Sequence, residues 1–156
     1  MRNKFHGVFS LLLIIVAIFL ALASIWGKPV STGLVYLAIV LTSPVILLYT
    51  FCAKCLCRSD DCRHVFPGKL TQWFPRRKQG PYTFADIVGT VVSLAALVLF
   101  PQYWLWQNKT LWLAFWLLIG IASIEILAFV CRGCKNARCP IHSSRDGDDP
   151  SKAAVP

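Results

Sequence analysis

Residues 8–26 read VFSLLLIIVAIFLALASIW, a run without a single charge. At about 1.5 Å of rise per residue, a helix of that length crosses most of a hydrocarbon core about 30 Å thick. Three further stretches repeat the pattern. Residues 33–53 carry no charge, residues 84–106 carry only Asp86 near their start, and residues 111–130 carry only Glu125. Backbone polar groups in lipid must be satisfied within the segment, so apolar runs of this length form helices. The spacing predicts an all-α chain, a four-transmembrane-helix bundle. Residues 1–145 read as one integral membrane domain and residues 146–156 as a polar, disordered tail.

Composition agrees with that architecture. Of 156 residues, 56% are hydrophobic and 15% charged, against about a quarter charged in an average soluble domain. These values exclude a soluble globular enzyme, a disordered protein and a secreted disulfide knot. There is no catalytic triad, P-loop or paired-carboxylate motif, so no reaction is assigned.

The formal net charge of +9 is explained by where the cations lie. Lys28 and Lys109 fall in the short connections at residues 27–32 and 107–110, and the other fourteen of the sixteen fall on the opposite side. By the positive-inside rule both termini and the 54–83 loop are expected in the cytoplasm, in a cell (inner) membrane. Nucleic acid is not needed to account for the charge. Trp26, Tyr103, Trp104, Trp106, Trp112 and Trp116 gather near the outer boundary as interfacial anchors. Asn108-Lys109-Thr110 matches a glycosylation sequon, but it lies in a tight turn at the membrane and reads as a chance match. The first span has a rival reading as a signal peptide, with Arg2 and Lys4 before it and Ala21-Leu22-Ala23 as a cleavage-like site. The apolar run continues through Trp26 into a hairpin turn, which favours a retained helix.

All seven cysteines follow the second and fourth spans. Cys52, Cys55, Cys57, Cys62 and His64 form one group, and Cys131, Cys134, Cys139 and His142 the other. Cys52 to Cys131 and Cys55 to Cys134 are each 79 positions apart, Cys62 to Cys139 is 77 and His64 to His142 is 78. Each half therefore reads as two spans, a CxxC, a third cysteine and a histidine. That is the pattern of a duplication, with two similar hairpins and a cytoplasmic Cys-rich loop and tail. In CxxC two thiols at a helix end can share one metal ion, and a third cysteine and a histidine complete a tetrahedral zinc site. The same donors suit an iron–sulfur cluster. Lys54, Arg58, Arg63, Arg132, Lys135 and Arg138 are interleaved with the cysteines and are expected to offset thiolate charge. Palmitoylated juxtamembrane cysteines and thiol–disulfide chemistry are the competing readings. Cys57 has no counterpart in the second half. His6 has no ligand spacing and reads as surface.

Residues 62–70, CRHVFPGKL, together with Trp73-Phe74-Pro75-Arg76-Arg77 and the run from Cys134 to Cys139-Pro140, carry a resemblance. Over roughly residues 50–142 the layout resembles the polytopic membrane ferredoxins associated with nitrate and nitrous-oxide respiration. The resemblance implies electron transfer near a quinone pool.

Glu125 is the one acid well inside a span. It is expected to be neutral, paired or facing the bundle interior, with Arg132 in reach, as either a proton-handling or a structural acid. Asp86 is treated with it, at a similar or shallower depth. Ala85, Gly89 and Ser93 form a small-residue stripe suited to close helix packing. Pro44 is expected to kink the second span, with Thr42 and Ser43 near the freed carbonyls. Lys69, Trp73, Arg76, Arg77 and Lys78 compose an interfacial segment expected to meet lipid headgroups, interrupted by Pro67, Gly68 and Pro75. The leading reading is a membrane protein with a cytoplasmic Cys/His site, holding an iron–sulfur cluster or zinc, for electron transfer or redox sensing. The alternative is a zinc-stabilised scaffold or assembly subunit without redox activity. The expected partners are the bilayer and a larger membrane complex or redox protein.

Overall fold

The computed structural model describes residues 2–55, 65–75, 77 and 82–131. Among them every regular element is helical. In chain order these are α1 (Arg2–Ile25), α2 (Val30–Thr50), a 3₁₀ turn (Cys52–Lys54), α3 (Val65–Leu70), a second 3₁₀ turn (Thr71–Trp73), α4 (Phe84–Leu99), α5 (Gln102–Leu105), α6 (Lys109–Glu125) and a π-helical turn (Ile126–Val130).

Four helical segments are long and apolar enough to cross a membrane: Phe5–Ile25, Val30–Lys54, Phe84–Leu105 and Lys109–Val130. Between 17% and 22% of the most apolar window of each is buried within the protein. The remaining apolar surface faces outward, far beyond what a water-soluble monomer exposes in one patch. This is the surface of a multi-pass membrane protein.

The most extensive packing joins α1 to α6 and α2 to α4. The core sits toward the end with the tight turns, where Ala17, Ala21, Ile25, Tyr36, Leu105 and Phe115 are buried together. Ala21, part of the cleavage-like tripeptide, is fully buried there. Tyr36 donates from its hydroxyl to the Leu97 carbonyl at 3.2 Å, which ties α2 to α4 without an unpaired polar atom.

The turns follow from local chemistry. Gly27 has φ +88°, the left-handed region that favours glycine, and it lets α1 reverse into α2. Asn108 caps α6, its side chain accepting from the Thr110 and Leu111 amides at 3.2 and 3.3 Å. The sequon asparagine is thus a helix cap. The third span is interrupted rather than continuous. Pro101 lacks an amide hydrogen, so α4 ends at Leu99 and a new short helix, α5, starts at Gln102. Pro44, by contrast, sits inside an unbroken α2, and Thr42 donates to the Ala38 carbonyl at 2.8 Å one turn earlier.

Close approach of α2 and α4 depends on Gly89. A Cβ there would lie 3.0 Å from Cγ2 of Thr50. Beside it the Thr50 and Thr90 hydroxyls meet at 3.1 Å. The packed stripe of α4 runs through Asp86, Gly89 and Ser93, and Ala85 is exposed.

Candidate functional site

The antiparallel path of the four spans brings the start of α1, the ends of α2 and α6, and the start of α4 to one end of the bundle. That end holds every described residue singled out for chemistry. Cys52 opens the 3₁₀ turn that follows α2, and the Cys55 amide donates to the Cys52 carbonyl at 3.1 Å. Positions three apart in such a turn fall one above the other. Cys131 follows the π-helical turn at the end of the fourth span. All three cysteines are half-buried. Thiol donors of this kind suit zinc or an iron–sulfur cluster. Among the described residues no three Cys, His, Asp or Glu side chains converge as a metal-binding group. Cys57, Cys62, His64, Cys134, Cys139, His142, Arg76, Lys78 and the tail at 146–156 lie outside the described residues.

Asp86 organises the first charge cluster. Thr83 and Asp86 form a capping box at the start of α4. The Thr83 amide and hydroxyl donate to Oδ2 of Asp86 at 3.0 and 2.7 Å. Lys54 Nζ donates to the same oxygen at 2.5 Å, and Arg77 Nη1 donates to Oδ1 at 2.6 Å. Asp86 is 2% exposed. The Arg77 guanidinium also lies 4.9 Å from the centre of the Tyr49 ring.

Two residues with other sequence expectations meet in this cluster. Lys54 lies between the two cysteines of the CxxC, yet its ammonium turns to Asp86. Arg77, grouped in the sequence with the headgroup-facing cations, clamps the same carboxylate. Asp86 is held by two cations and a threonine, the environment of a structural acid.

Among the described residues Glu125 is paired with His6. Nδ1 of His6 lies 2.7 Å from Oε2 of Glu125, across 119 positions of sequence. The His6 ring stacks on Phe129, with centroids 4.5 Å apart and planes 8° from parallel. His6 is therefore not a free surface residue. Its side chain is 22% exposed and that of Glu125 18%. Arg132 lies outside the described residues. The clue missed in the sequence is depth. α1 begins at Arg2, six positions ahead of the apolar run, so its first turns stand alongside the end of the fourth span. The π-helical turn directly after Glu125 widens the helix where α1 packs on it, and such turns recur at functional sites.

α3 and the turn after it form a short interfacial element. Phe66, Leu70 and Trp73 are exposed, Trp73 at 92%, while Gly68 and Thr71 are buried. The spacing of Phe66, Leu70 and Trp73 places them along one face, with Lys69 exposed beside them. Pro67 and Gly68 lie within α3.

At the opposite end the aromatic belt is tied by Gln102. Its Oε1 accepts from the indoles of Trp112 and Trp116, each at 3.1 Å. Lys109 Nζ sits 3.0 Å from the centre of the Trp106 ring, and Lys28 donates to Gln107 at 3.1 Å.

No protein family, no curated protein and no solved structure matches the chain.

Proposed function

We propose that this multi-pass membrane protein binds metal through two Cys/His sets at one membrane face and serves electron transfer or redox sensing there. The observation that carries the reading is the pair of offsets. Cys52 and Cys55 at the end of the second span recur 79 positions later as Cys131 and Cys134 at the end of the fourth. A chance scatter of small apolar cysteines has no reason to repeat at matched span ends, or to be followed both times by a cysteine and a histidine. The duplicated-hairpin reading, with a Cys-rich loop and tail, follows from the same offsets.

Cys52, Cys55, Cys62 and His64 form one donor set and Cys131, Cys134, Cys139 and His142 the second. An iron–sulfur cluster so held would supply one-electron chemistry, and the resemblance to membrane ferredoxins points the same way. The charge bias, fourteen cations against two, supports a cytoplasmic position for this face in a cell (inner) membrane. Lys69 and Trp73, with Arg76 and Lys78, meet anionic headgroups there, and a larger complex or redox protein is the natural partner.

A second reading has a specific observation in its favour. Lys54, the cation between Cys52 and Cys55, shares its charge with Asp86. A zinc ion with three thiolates and one neutral imidazole keeps a single net negative charge, whereas a cluster on the same donors gains a second on one-electron reduction and needs more compensation there. A zinc-clamped scaffold or assembly subunit fits that setting.

Metal analysis and visible absorption of anaerobically purified full-length protein separate the two. Brown protein with iron and sulfide supports electron transfer. Colourless protein with stoichiometric zinc supports the scaffold. Metal-free protein whose cysteines all alkylate in the native state defeats both.

A further inference from the structure

α1 and α2 are joined by a tight turn, yet they pack sparsely against each other. Between them lies an open apolar groove of about 880 Å³ at the end of the bundle away from the N-terminus. Phe19, Leu22, Leu34 and Leu37 line it, and Lys28 stands at its mouth. Phe19 is 65% exposed and Leu34 60%. A Cβ added at Gly33, which also lines the groove, would meet nothing within 4 Å.

Three features identify what fills it. The first is depth. The groove runs from the turn only as far as Phe19 on one helix and Leu37 on the other. From Lys28 to Leu37 that is roughly 13 Å at the helical rise, about half of a ~30 Å hydrocarbon core. That depth matches an acyl chain from the adjoining leaflet, which spans half of the core. The second is composition, since the groove walls are almost wholly apolar. The third is charge. Every acidic residue of the chain lies outside residues 27–32 and 107–110, so no carboxylate stands in the connections at this end. Of the two cations there, Lys109 sits over the Trp106 ring. Lys28 uses one hydrogen bond on Gln107, and an ammonium has three donors.

We infer that the α1–α2 groove binds an anionic glycerophospholipid, its acyl chains along Phe19, Leu22, Leu34 and Leu37 and its phosphate on Lys28. The inference rests on the membrane-spanning reading and is independent of whether the cysteines hold metal.

Native mass spectrometry of the full chain released from detergent, with phosphatidylglycerol or phosphatidylcholine added, tests it. Wild-type protein should retain phosphatidylglycerol in preference to phosphatidylcholine. Lys28→Ala should weaken phosphatidylglycerol retention about fivefold, the effect of one basic residue near a charged surface. Lys109→Ala should leave it unchanged. Gly33→Leu fills the groove and should lower retention of both lipids. Equal retention of the two lipids by wild type, or an unaltered Lys28→Ala, overturns the proposal. So does a dimer that Gly33→Leu abolishes and added phosphatidylglycerol leaves unchanged, because a second copy would then cover the groove. Release of the chain from membranes by an alkaline wash would defeat the membrane-spanning reading itself. Retention in membranes without a lipid preference defeats only the groove.

Discussion

Two acids lie at the same end of the bundle, and each ties one pair of spans together. Asp86 joins α4 to the end of α2 through Lys54, and Glu125 joins the end of α6 to the first turns of α1 through His6. The first clamp is nearly inaccessible and redundant, with two cations and both donors of Thr83 on one carboxylate. The second is a single pairwise contact, partly open to solvent. The difference teaches that one clamp is held from several directions and the other rests on one contact.

Removing the carboxylate of the first clamp should have the largest effect. Asp86→Ala removes the buried carboxylate that Lys54 and Arg77 share, and loss of one partner from a buried pair costs about 3–5 kcal/mol. The unfolding equilibrium in detergent would read this directly. It should also raise the alkylation rate of Cys52 and Cys55, because Lys54 anchors the turn that carries them. Unchanged stability would mean that the buried cluster contributes nothing to the α2–α4 pair.

Gly89 tests the same pair without touching charge. Gly89→Leu places side-chain atoms where even a Cβ would stand 3.0 Å from Thr50. Overpacking of that kind costs about 1–3 kcal/mol. If α2 and α4 moved apart, Lys54 would lose reach to Asp86, so this change and Asp86→Ala should be non-additive in a double-mutant cycle. Strict additivity would separate the helix contact from the clamp.

The second clamp should give less. Glu125→Gln retains shape and a hydrogen bond but loses the charge, and a charge-assisted bond is worth about 1.5–3 kcal/mol when buried. Partial exposure of both side chains lowers the expected loss to about 1 kcal/mol. The same unfolding measurement checks it, and a loss as large as that of Asp86→Ala would erase the distinction between the clamps.

The distinction itself was only half legible in the sequence. The four spans were plain, because uninterrupted apolar runs admit few alternatives. The break at Pro101 was not, since the hydropathy continues across it and only the missing amide hydrogen ends α4. The sequence shows Asp86 but not its partners. Lys54 sits between two cysteines and Arg77 in a basic run, and local spacing does not tie Lys54 to a carboxylate 32 positions away. His6 reads as surface for a related reason. Its partner is 119 positions distant, and only the packing of α1 on α6 brings the two to one depth. The repeated Cys/His spacing is a property of the sequence, and the described residues reach only Cys52, Cys55 and Cys131 of it.

The smallest expected effect comes from replacing the second clamp entirely. In the double variant His6→Phe with Glu125→Leu, the new ring can keep the stack on Phe129 and no buried polar atom is left behind. Exchanging both partners for apolar groups of similar shape is often nearly neutral, so stability should stay within about 0.5 kcal/mol of wild type. The corresponding exchange at Asp86 and Lys54 cannot be neutral, because Arg77 and the Thr83 cap would remain without their acceptor. A double variant at His6 and Glu125 that folds normally but loses activity would then assign the pair a proton-handling role, since its structural contribution would already have been measured as small. Normal folding with normal activity would leave it a dispensable contact, and the first clamp alone would hold this end of the bundle.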